Sequence, residues 1–149
     1  MASVVYNELK RMLFAAELDL DSDDIRVALV MTNTTVDSEN DGIVNLDDFT
    51  TLDECDGANY VRKALTSETI TKDDSNDQAE FDADDVTWSA LGAGTRSVQG
   101  MLVYKYVDGT AANDIALFYL EFAAVKTPDG SDFTVNFATD GLLALGDAA

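Results

Sequence analysis

Residues 81–122 constrain the fold more than any other part of the chain. Short runs of β-branched and aromatic residues alternate there with clusters of Gly, Asn and Asp, and no helical period fits them. This alternation is typical of strands separated by turns. The stretch also holds the single Trp and three of the five Tyr. We therefore predict a meander of three consecutive antiparallel strands, with residues 92–97 as the loop after the first.

The spacing of apolar residues predicts the other elements. Apolar side chains at helical spacing predict an amphipathic helix over residues 3–16, with Ser3 as its N-cap. Residues 25–31 are apolar at nearly every position, which predicts a strand buried on both faces. Further strand-like segments are residues 59–71, 133–137 and 141–145. The segment 133–137 alternates apolar and polar residues, which is typical of a half-buried strand.

These elements predict a mainly β fold. The expected architecture is an antiparallel β-sandwich or barrel-like domain with an N-terminal amphipathic α-helix and with strands from residue 25 onward. A chain of 149 residues is long enough for one substantial core. We therefore expect a single β-rich domain over residues 1–149.

Charge and residue usage exclude several classes of function. The chain carries 29 acidic and 9 basic residues, a net charge of -20, which disfavours nucleic acid as a partner. It has no His, and its one cysteine, Cys55, can form neither an internal disulfide nor a Cys-based zinc site alone. No apolar run is long enough to span a membrane, and the N-terminus lacks a signal-peptide pattern. We expect neither nucleic-acid nor membrane partners.

Residues 37–48 resemble a calcium-binding loop. Asp37, Glu39, Asp41 and Asp48 stand at ligand positions, and Gly42 stands at the position of the sharp turn. The flanking segments do not read as the two helices that an EF-hand requires. An acidic surface loop is therefore the favoured interpretation, and a calcium site remains the alternative. No other cofactor is expected.

A second acidic cluster precedes the Trp. Asp82, Asp84 and Asp85 come just before Trp88, and paired carboxylates beside an aromatic ring are a feature of glycoside hydrolases. Asp is also the usual residue at the entry to a strand. We favour that structural role, and we expect Trp88 to anchor the sheet. A carboxylate-pair hydrolase ranks last among the functional hypotheses.

Four pieces of sequence together suggest a family. They are Thr51-Leu-Asp-Glu54, Gly57-Ala-Asn-Tyr60-Val-Arg62-Lys-Ala-Leu65, Phe81-Asp-Ala-Asp-Asp-Val-Thr-Trp88 and Met101-Leu-Val-Tyr-Lys105 with Ile115-Ala. In this order, after the strand at residues 25–31, they resemble small virion structural proteins of tailed bacteriophages. The resemblance covers about residues 25–137, and it consists of strand and turn patterns.

The resemblance implies a structural protein of the phage particle and not an enzyme. The expected role is that of a head decoration or cement protein, made in the host cytoplasm, that binds the major capsid protein. A component of the neck, tail or fibre is the alternative. The class of protein implies a homo-oligomer, and we expect a trimer. Candidate interface residues are Tyr60, Arg62, Trp88 and Arg96.

Overall fold

The computed structural model describes residues 3–146, and the fold is mainly β with one N-terminal α-helix, as predicted. The helix is α1 (Asn7–Ala15). The strands of the described residues are β1 (Val4–Val5), β2 (Ile25–Met31), β3 (Lys63–Ala64), β4 (Thr69–Asp73), β5 (Gln78–Asp82), β6 (Val86–Trp88), β7 (Val98–Lys105), β8 (Ile115–Lys126), β9 (Phe133–Val135) and β10 (Leu143–Leu145). They form antiparallel sheets, and the described strands do not close into a barrel.

A five-stranded sheet in the order β1-β8-β7-β2-β3 forms the centre of the fold. Strand β2 is buried on both faces, as predicted. Its alternate side chains enter two separate apolar clusters, with Val27 and Leu29 in one and Ala28 and Val30 in the other. Because successive side chains of a strand point to opposite faces, the sheet lies between two apolar layers. Neither helical segment within residues 3–146 has the length and apolarity of a membrane crossing.

The predicted three-stranded meander is only partly correct. Strands β7 and β8 pair as an antiparallel hairpin, as predicted. The segment before them does not join that sheet, because β6 pairs with β9 instead and places Trp88 opposite Phe133. The backbone of Leu91 exchanges hydrogen bonds with Gly130 and Ser131, which directs the chain away from β7. Residues 92–97 therefore connect two different sheets and are not a hairpin loop.

The N-terminal helix is shorter than predicted, and a strand precedes it. Strand β1 pairs with Phe118 and Tyr119 of β8, so the strands begin before residue 25. The N-cap residue is Tyr6, and the Ser3 hydroxyl instead accepts a hydrogen bond from the backbone N–H of Glu121. Two consecutive β-branched residues favour this edge pairing over a first helical turn. The helix ends at Ala15, and its C-cap residue Ala16 has a left-handed backbone with φ 53°.

A three-stranded sheet in the order β10-β5-β4 lies beside the central sheet. Strand β10, which lies in the strand-like segment 141–145, pairs with β5. The strand predicted over residues 59–71 is wrong as one unit, because β3 and β4 are separate strands in different sheets. The left-handed backbone of Ser67, with φ 57°, lies between them and breaks the run. Side chains of β4 are exposed on both faces of the sheet.

Gly57 is required by a close contact between two loops. A Cβ atom at Gly57 would overlap the backbone carbonyl of Gly92, whose N–H donates to Ala58 O at 2.9 Å. Because the obstacle is backbone, the loops would have to separate. We expect Gly57→Ala to lower the free energy of unfolding by about 1–3 kcal/mol in urea titrations. The matched control is Gly146→Ala, where an added Cβ meets nothing within 4 Å. Equal stability of the two variants would contradict the prediction.

Candidate functional site

In the acidic loop 37–48, the Glu39 side chain links the residues that precede the loop to those that follow it. Its carboxylate accepts hydrogen bonds from the Thr35 hydroxyl at 2.7 Å and from the Thr50 backbone N–H at 2.9 Å. The bonds from Thr50 and Thr35 lower the pKa of Glu39. The charge of this carboxylate therefore already has partners in the protein.

Asp48 has a comparable role at a short 3-10 helix, Leu46–Asp48. Its carboxylate accepts the backbone N–H groups of Asn45 at 2.8 Å and Val44 at 2.9 Å. These two bonds lower the pKa of Asp48. With the Asn45 side chain they form a capping box, which satisfies backbone donors at the start of the turn.

Three of the four predicted calcium ligands, Glu39, Asp41 and Asp48, line one surface cavity, and Asp37 does not. Asp37 contacts Gln99, whose side-chain amide donates to it at 3.2 Å, and Asp41 is exposed. Within residues 3–146, no three acidic or cysteine side chains are close enough together to hold a metal ion. The loop also lies between β2 and β3 and is not flanked by two helices, so the EF-hand arrangement does not form.

Calcium is expected to leave the melting temperature of the protein unchanged. A site filled at 100 times its dissociation constant would add about 2.7 kcal/mol to the free energy of unfolding, which thermal denaturation detects easily. Magnesium at equal concentration is the control, because any divalent ion screens a net charge of -20. A calcium-specific rise in melting temperature that Glu39→Gln abolishes would contradict the expectation.

The second acidic cluster fastens loops to one another. The Asp84 carboxylate accepts a hydrogen bond from the Ser67 hydroxyl at 2.6 Å, and Asp85 accepts the backbone N–H of Phe137 at 2.8 Å. The two carboxylates therefore bind segments that lie far apart in the sequence. One oxygen of Asp82 is buried with no hydrogen-bond partner among the described residues. Asp84 and Asp85 have the structural role that their position before a strand predicted.

Tyr60 and Arg62 lie in a half-buried polar cluster. The Arg62 guanidinium donates two hydrogen bonds to Glu54, at 2.9 and 2.8 Å, and the Tyr60 hydroxyl donates to the same carboxylate at 2.8 Å. Tyr60 also accepts the backbone N–H of Leu29 at 3.1 Å. Hydrogen bonds donated to the Glu54 carboxylate raise the pKa of Arg62, and burial raises the pKa of Tyr60. Both candidate interface side chains are thus bound within the protein.

Asp114 completes this cluster from the loop between β7 and β8, and sequence reasoning did not identify it. It is fully buried, and one carboxylate oxygen accepts the backbone N–H groups of Val107, Asp108 and Gly109 at 2.9–3.3 Å. The other oxygen lies 3.8 Å from the Arg62 guanidinium, too far for a hydrogen bond but close enough for an ion pair. The sequence offers no signal for this residue, because it is one Asp among many in turn segments.

Trp88, one of the four candidate interface residues, does not lie at the surface of the protein. Trp88 is fully buried, and its indole N–H donates to Val61 O at 2.7 Å. Its ring stacks on Tyr60, with centroids 6.5 Å apart, and meets Phe133 edge-on at 6.3 Å. Trp88 is therefore the sheet anchor that its sequence context indicated, and it presents no surface to a partner.

Arg96 is the most exposed of the four candidate interface residues. Its guanidinium lies 3.1 Å from the Asp53 carboxylate, and 45% of its side chain is exposed. Exposed pairs of this kind contribute little to stability, so the arginine can exchange its partner at low cost.

An aromatic groove lies directly outside the Trp88 anchor. It has a volume of about 660 Å³ and runs between the second half of β8 and the strand β9 with the residues that follow it. The half-buried rings of Phe122, Phe133 and Phe137 line it, and Phe122 and Phe133 lie 6.4 Å apart. The alternation of apolar residues at 133–137 predicted the half-buried strand. It did not predict that β8 would form the opposite wall.

The chain was compared with family models, with curated proteins and with solved structures, and none of these comparisons finds a match.

Proposed function

We propose that the chain is a structural protein of a tailed-phage particle, without catalytic activity, that binds neighbouring major capsid subunits and stabilises the head. The resemblance in the strand and turn patterns of residues 25–137 supports this proposal. The structural observation that carries it is the aromatic groove, because an adhesive protein needs an apolar surface that a partner can cover. In this proposal the protein is made in the host cytoplasm and acts in the virion.

The groove has the composition of a protein-binding site. Its three Phe rings are partly open to solvent, and charged side chains such as Glu121, Lys126 and Asp132 stand among the lining residues. An aromatic centre with polar residues around it is the usual anatomy of a protein interface. Because each ring is already partly buried, a segment of the capsid subunit that covers one ring gains about 1 kcal/mol from burial of its exposed part.

One wall of the groove packs against a buried aromatic ring. Phe133 packs against the buried ring of Trp88, and Trp88 packs against Tyr60 of the polar cluster. A wall that is ordered before binding loses little conformational entropy when a partner docks. The net charge of -20 keeps the acidic remainder of the surface solvated at the high local density of a shell.

Binding to purified heads that lack this protein tests the proposal. We expect Phe137→Ala to weaken binding about 3–10-fold, the equivalent of burying the exposed part of one ring. Ala138→Glu should also weaken it, since this exposed residue lines the groove and its change leaves the core intact. The matched control is Phe14→Ala, because Phe14 is 95% exposed on α1 and does not line the groove.

Two results would contradict the proposal. The first is no binding of the wild-type protein to heads, and binding to isolated necks or tails would then favour the alternative locations. The second is equal binding by Phe137→Ala, Ala138→Glu and Phe14→Ala. Circular dichroism of each variant separates a lost contact from a lost fold.

A further inference from the structure

Strand β4 is an exposed edge strand of unusual composition for so acidic a chain. It lies at the end of the sheet, and β5 is its one strand neighbour within residues 3–146. Residues 69–72 are exposed, and Ile70 has 52% of its surface open to solvent. Three of these residues, Thr69, Ile70 and Thr71, are β-branched and uncharged. Natural proteins usually protect such an edge with charges, Pro or a covering loop, because its free backbone groups can pair with another strand.

The sequence along this edge is complementary to itself. Residues 68–72 read Glu-Thr-Ile-Thr-Lys. If two copies align antiparallel about Ile70, each Glu68 faces Lys72 of the other copy, each Thr69 faces Thr71, and Ile70 faces Ile70. Opposite charges and β-branched pairs directly across two strands are the stabilising combinations. Shifting the alignment so that Thr71 lies on the axis would remove both Glu68–Lys72 pairs.

We propose that two copies of this chain pair through their β4 edges in this register. The axis passes between the two Ile70 residues, and the two three-stranded sheets become one sheet of six. Ile70 shares a row with Phe81 of β5 and Leu143 of β10. Pairing therefore continues an apolar row from the core of one copy to the core of the other. The contact is isologous and closes as a dimer.

The charge of Lys72 favours a second copy of this chain as the partner of β4 over an unrelated protein. Lys72 is one of 9 basic residues, and its present partner is Asp74, in an ion pair whose side chains are 79% and 76% exposed. Such a pair is weak and exchanges readily. Elsewhere, two chains of net charge -20 repel each other, so a self-contact needs a place where each copy offers both signs of charge. The β4 edge offers both.

Disulfide trapping tests the pairing without the phage particle. Residues opposite each other in antiparallel strands have Cα atoms about 4.5–5.5 Å apart, within the range of a disulfide. Ile70→Cys is therefore expected to form linked dimers at least about tenfold faster than Val125→Cys, because pairing holds the two thiols at millimolar effective concentration. Val125 is the matched control, since it is a β-branched strand residue with 53% exposure. Cys55 is buried, so it can remain in both proteins.

Charge reversal tests the register. In the Ile70→Cys protein, Glu68→Lys alone or Lys72→Glu alone places like charges opposite each other twice. Each is expected to slow dimer formation by roughly threefold or more. The double reversal Glu68→Lys, Lys72→Glu keeps the net charge of the parent and should restore its rate. Two results would each overturn the proposal: Ile70→Cys linking no faster than Val125→Cys, or a double reversal that stays as slow as the single ones.

Binding of heads through the groove and pairing through β4 are separate contacts. The proposed dimer has a twofold axis, whereas the resemblance to phage proteins implies a trimer. The trimer stays a prediction. Failure of disulfide trapping would leave the groove proposal intact, and failure of head binding would leave the β4 pairing intact.

Discussion

Replacing Asp114 with Ala is expected to lower the free energy of unfolding by about 2–4 kcal/mol, because the carboxylate is fully buried and hydrogen bonds to a charged group contribute about 1.5–3 kcal/mol. The change leaves the backbone N–H groups of Val107, Asp108 and Gly109 without their acceptor. It also removes the buried negative charge 3.8 Å from Arg62. Urea titration followed by circular dichroism measures the loss.

The control for this variant is Asp41→Ala. Any Asp-to-Ala change makes the net charge of -20 less negative and so reduces the repulsion between acidic groups. The control must therefore remove one negative charge elsewhere. Asp41 is exposed. The stability of Asp114→Asn should lie between those of Asp114→Ala and Asp41→Ala, since the Asn amide oxygen still accepts hydrogen bonds but carries no charge. If Asp114→Ala is as stable as Asp41→Ala, the buried carboxylate does not hold the loop.

Replacing Trp88 with Ala is expected to lower the free energy of unfolding by about 3–5 kcal/mol, the range for removing a large buried aromatic side chain. The ring is fully buried and touches both Tyr60 and Phe133. Its removal would leave a cavity behind the wall of the aromatic groove. We therefore expect Trp88→Ala to weaken head binding as well as to lower stability.

Trp88→Phe separates the packing of the ring from its hydrogen bond. Phe keeps much of the apolar volume and loses the indole N–H that donates to Val61 O at 2.7 Å. We expect a smaller loss of stability, because only part of the packing and one hydrogen bond are removed. Phe14→Ala is the control for removing an aromatic ring at the surface, since Phe14 is 95% exposed. A Trp88→Ala protein as stable as Phe14→Ala would contradict the buried anchor. Circular dichroism is the readout, because these variants lack the only Trp.

The sequence pattern predicted the structure correctly where a strand or turn depends only on residues close to it in the chain. The continuous apolar run of residues 25–31 is strand β2, buried on both faces. The alternation that begins at Phe133 is the half-buried strand β9. The turn cluster between β7 and β8 joins an antiparallel hairpin. These predictions hold because side-chain periodicity and turn residues act within a few positions of each other.

The sequence pattern did not predict which strands pair when the partners lie far apart in the chain. Val4 and Val5 lie within the helix predicted over residues 3–16, yet they pair with β8 more than 110 residues away. Strand β6 pairs with β9 and not with β7, its neighbour in sequence. The reason is the same in both cases: backbone pairing across a sheet depends on which edge is free, and the sequence period does not contain that information.

The same division holds for the candidate site. By itself, the sequence determined a mainly β class, a buried Trp anchor and an acidic surface. Only the tertiary structure decided which carboxylates are free, because Glu39 and Asp48 are occupied by nearby backbone N–H groups and Asp114 is buried beside Arg62. It also decided that the aromatic surface lies at the groove and not at Trp88. Exposure and hydrogen bonding depend on what packs against a side chain, and those neighbours come from remote parts of the chain.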